Sequence, residues 1–164
     1  MLSSIAALLL AAAQIGSPGA DVACILDRIP PTVRAEALDE AGTGVGGRVR
    51  DAFTTAARAC ARERSWEPGE TDRFDYLAAA WTVVSEAAAR LEEQGIAPGI
   101  VLEWYQAQPP GRRSSPGEEA IADLVARLAA AGVPHAVIEE NGLPVGLLVG
   151  GLAAIERIGG ESDD

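Results

Sequence analysis

The sequence predicts an all-α fold, an irregular bundle of five to seven helices that follows a cleaved N-terminal signal segment. Three observations carry this expectation. Between Thr71 and Gln94, residues Phe74, Leu77, Trp81, Val84, Ala88 and Leu91 recur at alternating steps of three and four, which lays one apolar seam along a helix. That helix of about 24 residues would run roughly 36 Å at 1.5 Å per residue. Prolines and glycines punctuate the other apolar-periodic stretches at their ends, where helices start and stop. Finally, the first 20 residues carry no charged side chain and hold the apolar run Ile5 to Ala13.

That run is too short to span a bilayer as a helix and suits a signal-peptide core, with small-residue zones at Ala11-Ala12-Ala13 and Ser17 to Ala20. The expected organisation is a signal over 1–20 cleaved between 13 and 20, one helical domain over 21–158, and an acidic tail over 159–164. No Lys or Arg precedes the apolar core, and the alternative is an ordinary N-terminal helix packed on the domain. Lipidation at Cys24 is disfavoured, because Asp21 occupies a position where a lipidation box wants an apolar residue.

Asp21 is the expected cap of a short helix ending near Ile29, where Pro30 and Pro31 stop it. A second helix follows from Pro31 to about Glu40. Ala41 to Gly47 reads as a glycine-rich connector. Its Gly42, Gly44 and Gly47 match G-x-G-x-x-G by letter, but a polar helical stretch precedes them instead of the buried strand that a dinucleotide site requires. The next helix, Gly47 to Arg64, buries Val49, Phe53, Ala56 and Cys60. Its other faces carry Arg48, Arg50, Arg58, Arg62 and Arg64, a basic island read as ion pairing with acidic neighbours more readily than as an anion site.

Cys24 and Cys60 are the only cysteines, each on the inner face of a predicted helix. In an exported chain they are expected to form a disulfide; two buried free thiols are the alternative, and no C-x-x-C spacing suggests a redox pair. Thr71 is the expected cap of the central helix, Glu86 and Arg90 an i,i+4 pair within it, and Gly95 its left-handed terminator. The seam is expected to pack in the core, since it lacks the flanking charges of a coiled-coil dimer.

Pro98 opens a short helix to about Gln106, and Pro109 to Ser114 reads as an exposed loop whose Arg112 and Arg113 either touch a partner or solubilise it. Ser115-Pro116-Gly117-Glu118 has the pattern of a capping box, followed by Ile121, Leu124, Val125 and Leu128 on one face and Gly132 as the stop. Pro134 to Asn141 and Pro144 to Ile158 are expected as two helices, with a hairpin turning at Asn141-Gly142 as the alternative.

Function is only coarsely bounded. The net charge of −11, with every basic residue an arginine, repels phosphate backbones, so nucleic acid is not expected as a partner. His135 is the only histidine, expected as a helix-start residue; no metal site, cofactor or catalytic residue is assigned, because ligand sets, phosphate loops and nucleophile elbows are missing from the sequence. Leu143 to Ile155 has no charge and contains Gly146-x-x-x-Gly150, which suggests a buried helix whose glycines allow close packing and leaves membrane contact as a lesser expectation. The leading expectation is therefore a periplasmic or secreted bacterial envelope protein that binds or interacts without catalysis, with a protein partner allowed. The rivals are a small carboxylate- or His-dependent envelope enzyme and a peripheral membrane protein using Leu143 to Ile155.

Overall fold

Residues 18–43 and 47–160 are described in the computed structural model. Over them the chain forms eight α-helices and one 3-10 turn, with no strand among the described residues. The helices are α1 (Ala20–Leu26), α2 (Pro31–Thr43), α3 (Arg48–Arg64), α4 (Pro68–Glu93), α5 (Pro98–Ala107), α6 (Glu118–Ala130), α7 (His135–Glu140) and α8 (Gly142–Gly160), with the 3-10 turn at Pro110–Arg112. The all-α class is as expected, and the helix number exceeds the expected five to seven. The short α1 and α7 are both among the helices the sequence predicts one by one, and each stands as a separate helix in the total of eight. Residues 1–17, which hold the apolar run of the expected signal, and 161–164 of the expected tail lie outside the described residues. So do 44–46 of the glycine-rich connector.

Helix α4 is the axis of the molecule. It packs most extensively on α8, then on α2, α1 and α3. Its seam turns inward: Leu77, Val84, Ala88 and Leu91 are buried, and Phe74 and Trp81 are half-buried against the core. The helix starts earlier than Thr71. Glu67 is its cap, Pro68 fills the first turn, and Glu70 returns the capping box by accepting the Glu67 amide at 2.8 Å. Gly95 (φ +77°) and Gly132 (φ +89°) end α4 and α6 in the left-handed region, as the sequence predicts.

Two apolar clusters are strung along α4. The first joins α1, α2, α3 and the first half of α4, and includes Ile25, Phe53, Ala57, Cys60 and Ala78. The second joins the far half of α4 to α5, α6, α7 and α8, and includes Leu91, Trp104, Leu128 and Leu148.

Several local expectations are replaced by longer-range contacts. Gly19, not Asp21, precedes α1, and Asp21 accepts hydrogen bonds from Arg64 (3.0 Å) and Trp66 (3.1 Å). Arg90 pairs with Asp39 at 3.6 Å instead of Glu86. The Ser115 capping box is not formed, since α6 opens further along the chain, at Glu118 with Gly117 as cap. Arg113 is a clamp within the fold. It donates to the Gln106 and Gln108 carbonyls and to Glu156 (2.5 Å), and sits 5.5 Å from the Tyr105 ring centre.

Asn141-Gly142 joins two helices and makes no hairpin. The buried Asn141 amide donates to the Val137 carbonyl at 2.8 Å, while its own carbonyl receives the Val145 amide. The glycine expectation for α8 also shifts. Gly146 and Gly150 are exposed with open space where a Cβ would lie, whereas a Cβ on Gly151 would stand 2.6 Å from Val84 Cγ2 and 3.4 Å from the Ala80 carbonyl. Gly151 is the residue that brings α8 onto α4.

Candidate functional site

The residue pair expected from sequence is brought together: the Cys24 and Cys60 sulfurs stand 2.14 Å apart, at disulfide distance, joining α1 to α3. Arg28 follows Cys24 by one helical turn and donates to its carbonyl (2.9 Å) and sulfur (3.0 Å) while pairing with Glu63 at 2.6 Å. The basic island on α3 is partly spent in the same way, on Arg48–Glu36 and Arg64–Asp21.

Several concavities of about 310 to 630 Å³ have the scale of small-molecule sites; the largest of these, about 630 Å³, lies where α2 meets the α7–α8 junction beside Arg90 and Gln94, and two others have the more extensive apolar linings. The first of these two is an open cleft of about 560 Å³ between α2, α3 and α4. Val49, Phe53, Ala37, Ala79 and Val83 make its apolar base, with Val49, Phe53 and Ala37 buried in the first cluster. Its polar groups come from all three helices: Glu40 from α2, Arg50 and Thr54 from α3, and Asp72, Asp75 and Tyr76 from α4. Asp72, Asp75 and Tyr76 share one side of α4 because steps of three and four return to the same face.

Asp75 is the singular group. It is half-buried, and burial raises its carboxyl above the usual aspartate value, with the Thr54 hydroxyl bond and the Arg50 and Arg58 charges opposing that rise and Asp72 adding to it. The Thr54 hydroxyl donates to Asp75 Oδ2 at 3.1 Å. Beside it Tyr76 leaves 62 % of its surface exposed, an aromatic ring held out at the cleft edge. The cleft thus joins an apolar base to a carboxyl that is partly desolvated. Sequence reasoning reads Asp72 and Asp75 as acids that favour the start of α4 and Arg50 as part of the basic island, and does not join them into a site. The only available signal was the acid-acid-aromatic spacing on one face of α4, which is ordinary for an exposed helix.

The second concavity, about 310 Å³, lies among α5, α6, α7 and α8 and is lined by Trp104, Ile121, Leu124, Leu128, Val145 and Val149 with His135 and Glu139 at its edge. His135 opens α7 as expected and stands 3.7 Å from Glu139, its neighbour one turn on. It lines the second concavity and is not among the groups lining the Asp75 cleft. Among the described residues no three His, Cys, Asp or Glu side chains gather as a metal set.

Helix α8 is long and apolar enough, by length and composition, to cross a membrane, yet Leu148, Val149, Gly151 and Leu152 on it are buried within the fold. No family model, curated protein or solved structure matches the chain.

Proposed function

We propose that this chain is an exported envelope protein of a bacterium that works by binding a small ligand, with the α2–α3–α4 cleft as its site. One observation carries the reading: an open cleft of about 560 Å³ whose apolar base meets the half-buried Asp75 carboxyl and the exposed Tyr76 ring. Such a combination of apolar surface and a few convergent polar groups is what ligand sites use for affinity and orientation. Export is supported by the uncharged apolar N-terminal sequence and by cysteines set at disulfide distance, since such bonds persist in oxidising compartments.

Two measurements test the two halves of this reading. An intact mass of the protein recovered from fractionated cells, alkylated without reductant, should show a truncated, unlabelled chain in the envelope fraction. A full-length, doubly alkylated chain overturns export. Backbone chemical-shift mapping against a set of small amphipathic fragments should cluster on Thr54, Asp75 and Tyr76; shifts confined to other surfaces overturn the cleft.

The same carboxyl favours one rival. A half-buried acid whose proton is held more firmly than usual is the raw material of general acid catalysis, and Asp72 and Tyr76 stand beside it. A reaction performed by the wild-type protein and lost in Asp75→Asn would replace binding with catalysis at this site.

A further inference from the structure

We infer that the ligand of the α2–α3–α4 cleft is an amphipathic organic cation: an apolar body that lies on Val49, Phe53 and Val83, with a protonated amine that reaches Asp75. The inference rests on the cleft being the binding site and adds the chemical class that it takes.

The first argument is charge. Asp72 and Asp75 from α4 and Glu40 from α2 bring three carboxylates to the cleft, and two guanidiniums, Arg50 in the lining and Arg58 outside it, act on Asp75, so the balance stays acidic. The whole chain is acidic at −11, so the surrounding field also gathers cations and repels anions. A fatty acid or a phosphate ester would enter against both.

The second argument is the unfinished shell of Asp75. Half-buried carboxylates are ordinarily compensated by a cation or by several donors, since desolvation disfavours the charged form. Here the hydrogen bond to this side chain comes from a neutral hydroxyl, Thr54, at 3.1 Å. Arg50 and Arg58 on α3 act on it through their charge alone, and Asp72 opposes them from α4. An ammonium group entering from the open side supplies the charge-assisted partner, a bond about twice as strong as a neutral one.

The third argument is the lining that completes such a ligand. The exposed Tyr76 ring lines the same cleft next to Asp75 in the chain, where an aromatic ring suits a cation, and Phe53, Val49 and Val83 offer apolar contact to whatever follows it. An inorganic cation would leave that base unused, and a neutral hydrocarbon would leave Asp75 as it stands.

A proton signature follows. The titratable and charged groups facing Asp75 are Glu40 from α2, Arg50 and Arg58 from α3, and Asp72 and Tyr76 from α4. Binding an ammonium stabilises the ionised carboxyl, so in the pH range where Asp75 is partly protonated the ligand must expel its proton. Affinity should therefore fall as pH drops through that range.

The test uses the full chain and three probes of one shape: 4-phenylbutylamine, 4-phenylbutanol and 4-phenylbutyrate. Calorimetry in buffers of different ionisation heat reads affinity and proton release, and chemical shifts at Thr54, Asp75 and Tyr76 locate the site. The amine should bind there, release protons at acid pH, and exceed the butyrate and the alcohol by about tenfold or more, the scale of one hydrogen bond to a charged group. Asp75→Asn should lose that margin and the proton release. Tyr76→Ala is the second variant: it removes a mostly exposed side chain, so it leaves the core intact, and it should weaken the amine more than the alcohol.

Equal or tighter binding of the butyrate in the cleft overturns the ligand class and leaves the binding site standing. Amine binding in the cleft that neither substitution alters also overturns the ligand class. Failure of all three probes to shift cleft residues overturns the binding site itself.

Discussion

The two halves of α4 serve two differently built cores. Around its first half Ala37, Ala56, Ala57 and Ala78 are buried among Ile25, Ile29, Phe53 and Leu77, and the helices are further held by Cys24 and Cys60 at disulfide distance and by Arg28–Glu63 and Arg64–Asp21. Around its second half the buried residues include Trp104, Tyr105 and a set of leucines, and no covalent tie is needed. The difference teaches where this chain obtains its order. Alanine contacts remove less apolar area from water than leucine or tryptophan contacts, so the first core, with its four buried alanines, adds a constraint of the unfolded chain to its burial. The second leans on area and close approach. The cleft sits over the first, where small side chains leave room between helices.

Removing the staple should be the largest way to break this contrast. Cys24→Ala with Cys60→Ala opens a loop with a sequence separation of 36. On the chain-entropy model that costs about 4 kcal/mol, read from urea unfolding against the oxidised wild type. Hydrogen exchange should then accelerate in α1 and α3 while α8 keeps its protection. Equal acceleration in both regions would mean one cooperative core and would erase the distinction.

Glycine exchange in α8 should sharpen it, with opposite signs at two glycines about 7.5 Å apart along the helix, by a rise of about 1.5 Å per residue. Gly151→Ala drives a methyl group toward Val84 Cγ2 at 2.6 Å, against a β-branched side chain that is itself fully buried. Overpacking of this kind costs about 1–3 kcal/mol, more than the gain in helix propensity returns. Gly146→Ala meets open space and should stabilise by up to about 1 kcal/mol. Thermal melts of the two variants moving in the same direction would deny Gly151 its role.

The smallest effect concerns the cleft. Asp75 has a folded-state pKa above the unfolded value near 3.8, so its contribution to stability is fullest below that value and declines as pH rises through the folded pKa. Asp75→Asn, whose amide oxygen still accepts from Thr54, should leave the protein as stable or slightly more stable at neutral pH. The advantage should vanish at pH 3, where the wild-type carboxyl is protonated in both states. A variant less stable at neutral pH would show that the ionised carboxyl supports the fold, and the ligand's cation would then lose its reason.

Much of this architecture is local and therefore legible in the sequence. Helical spacing in α4, prolines at the starts of α2 and α5, and Gly95 and Gly132 at positive φ follow from backbone sterics and the 3.6-residue repeat, which act over a few neighbours. The inward placement of both cysteines was legible for the same reason, since each falls on an apolar stripe.

Partners chosen across the bundle were not legible. Arg90 could as well have met Glu86 as Asp39, and Arg113 had no local cue for Glu156, because exposed ion pairs of similar worth compete until packing sets the distances. Gly151 looked no different from Gly146 and Gly150 until α4 lay against one of them. The cleft belongs to the same class: Glu40, Arg50, Thr54 and Asp75 are ordinary helix-surface residues in the sequence. Only the mutual placement of three helices desolvates one carboxyl among them. Period and chirality determined the helices, and the geometry of their packing decided where a ligand can be held.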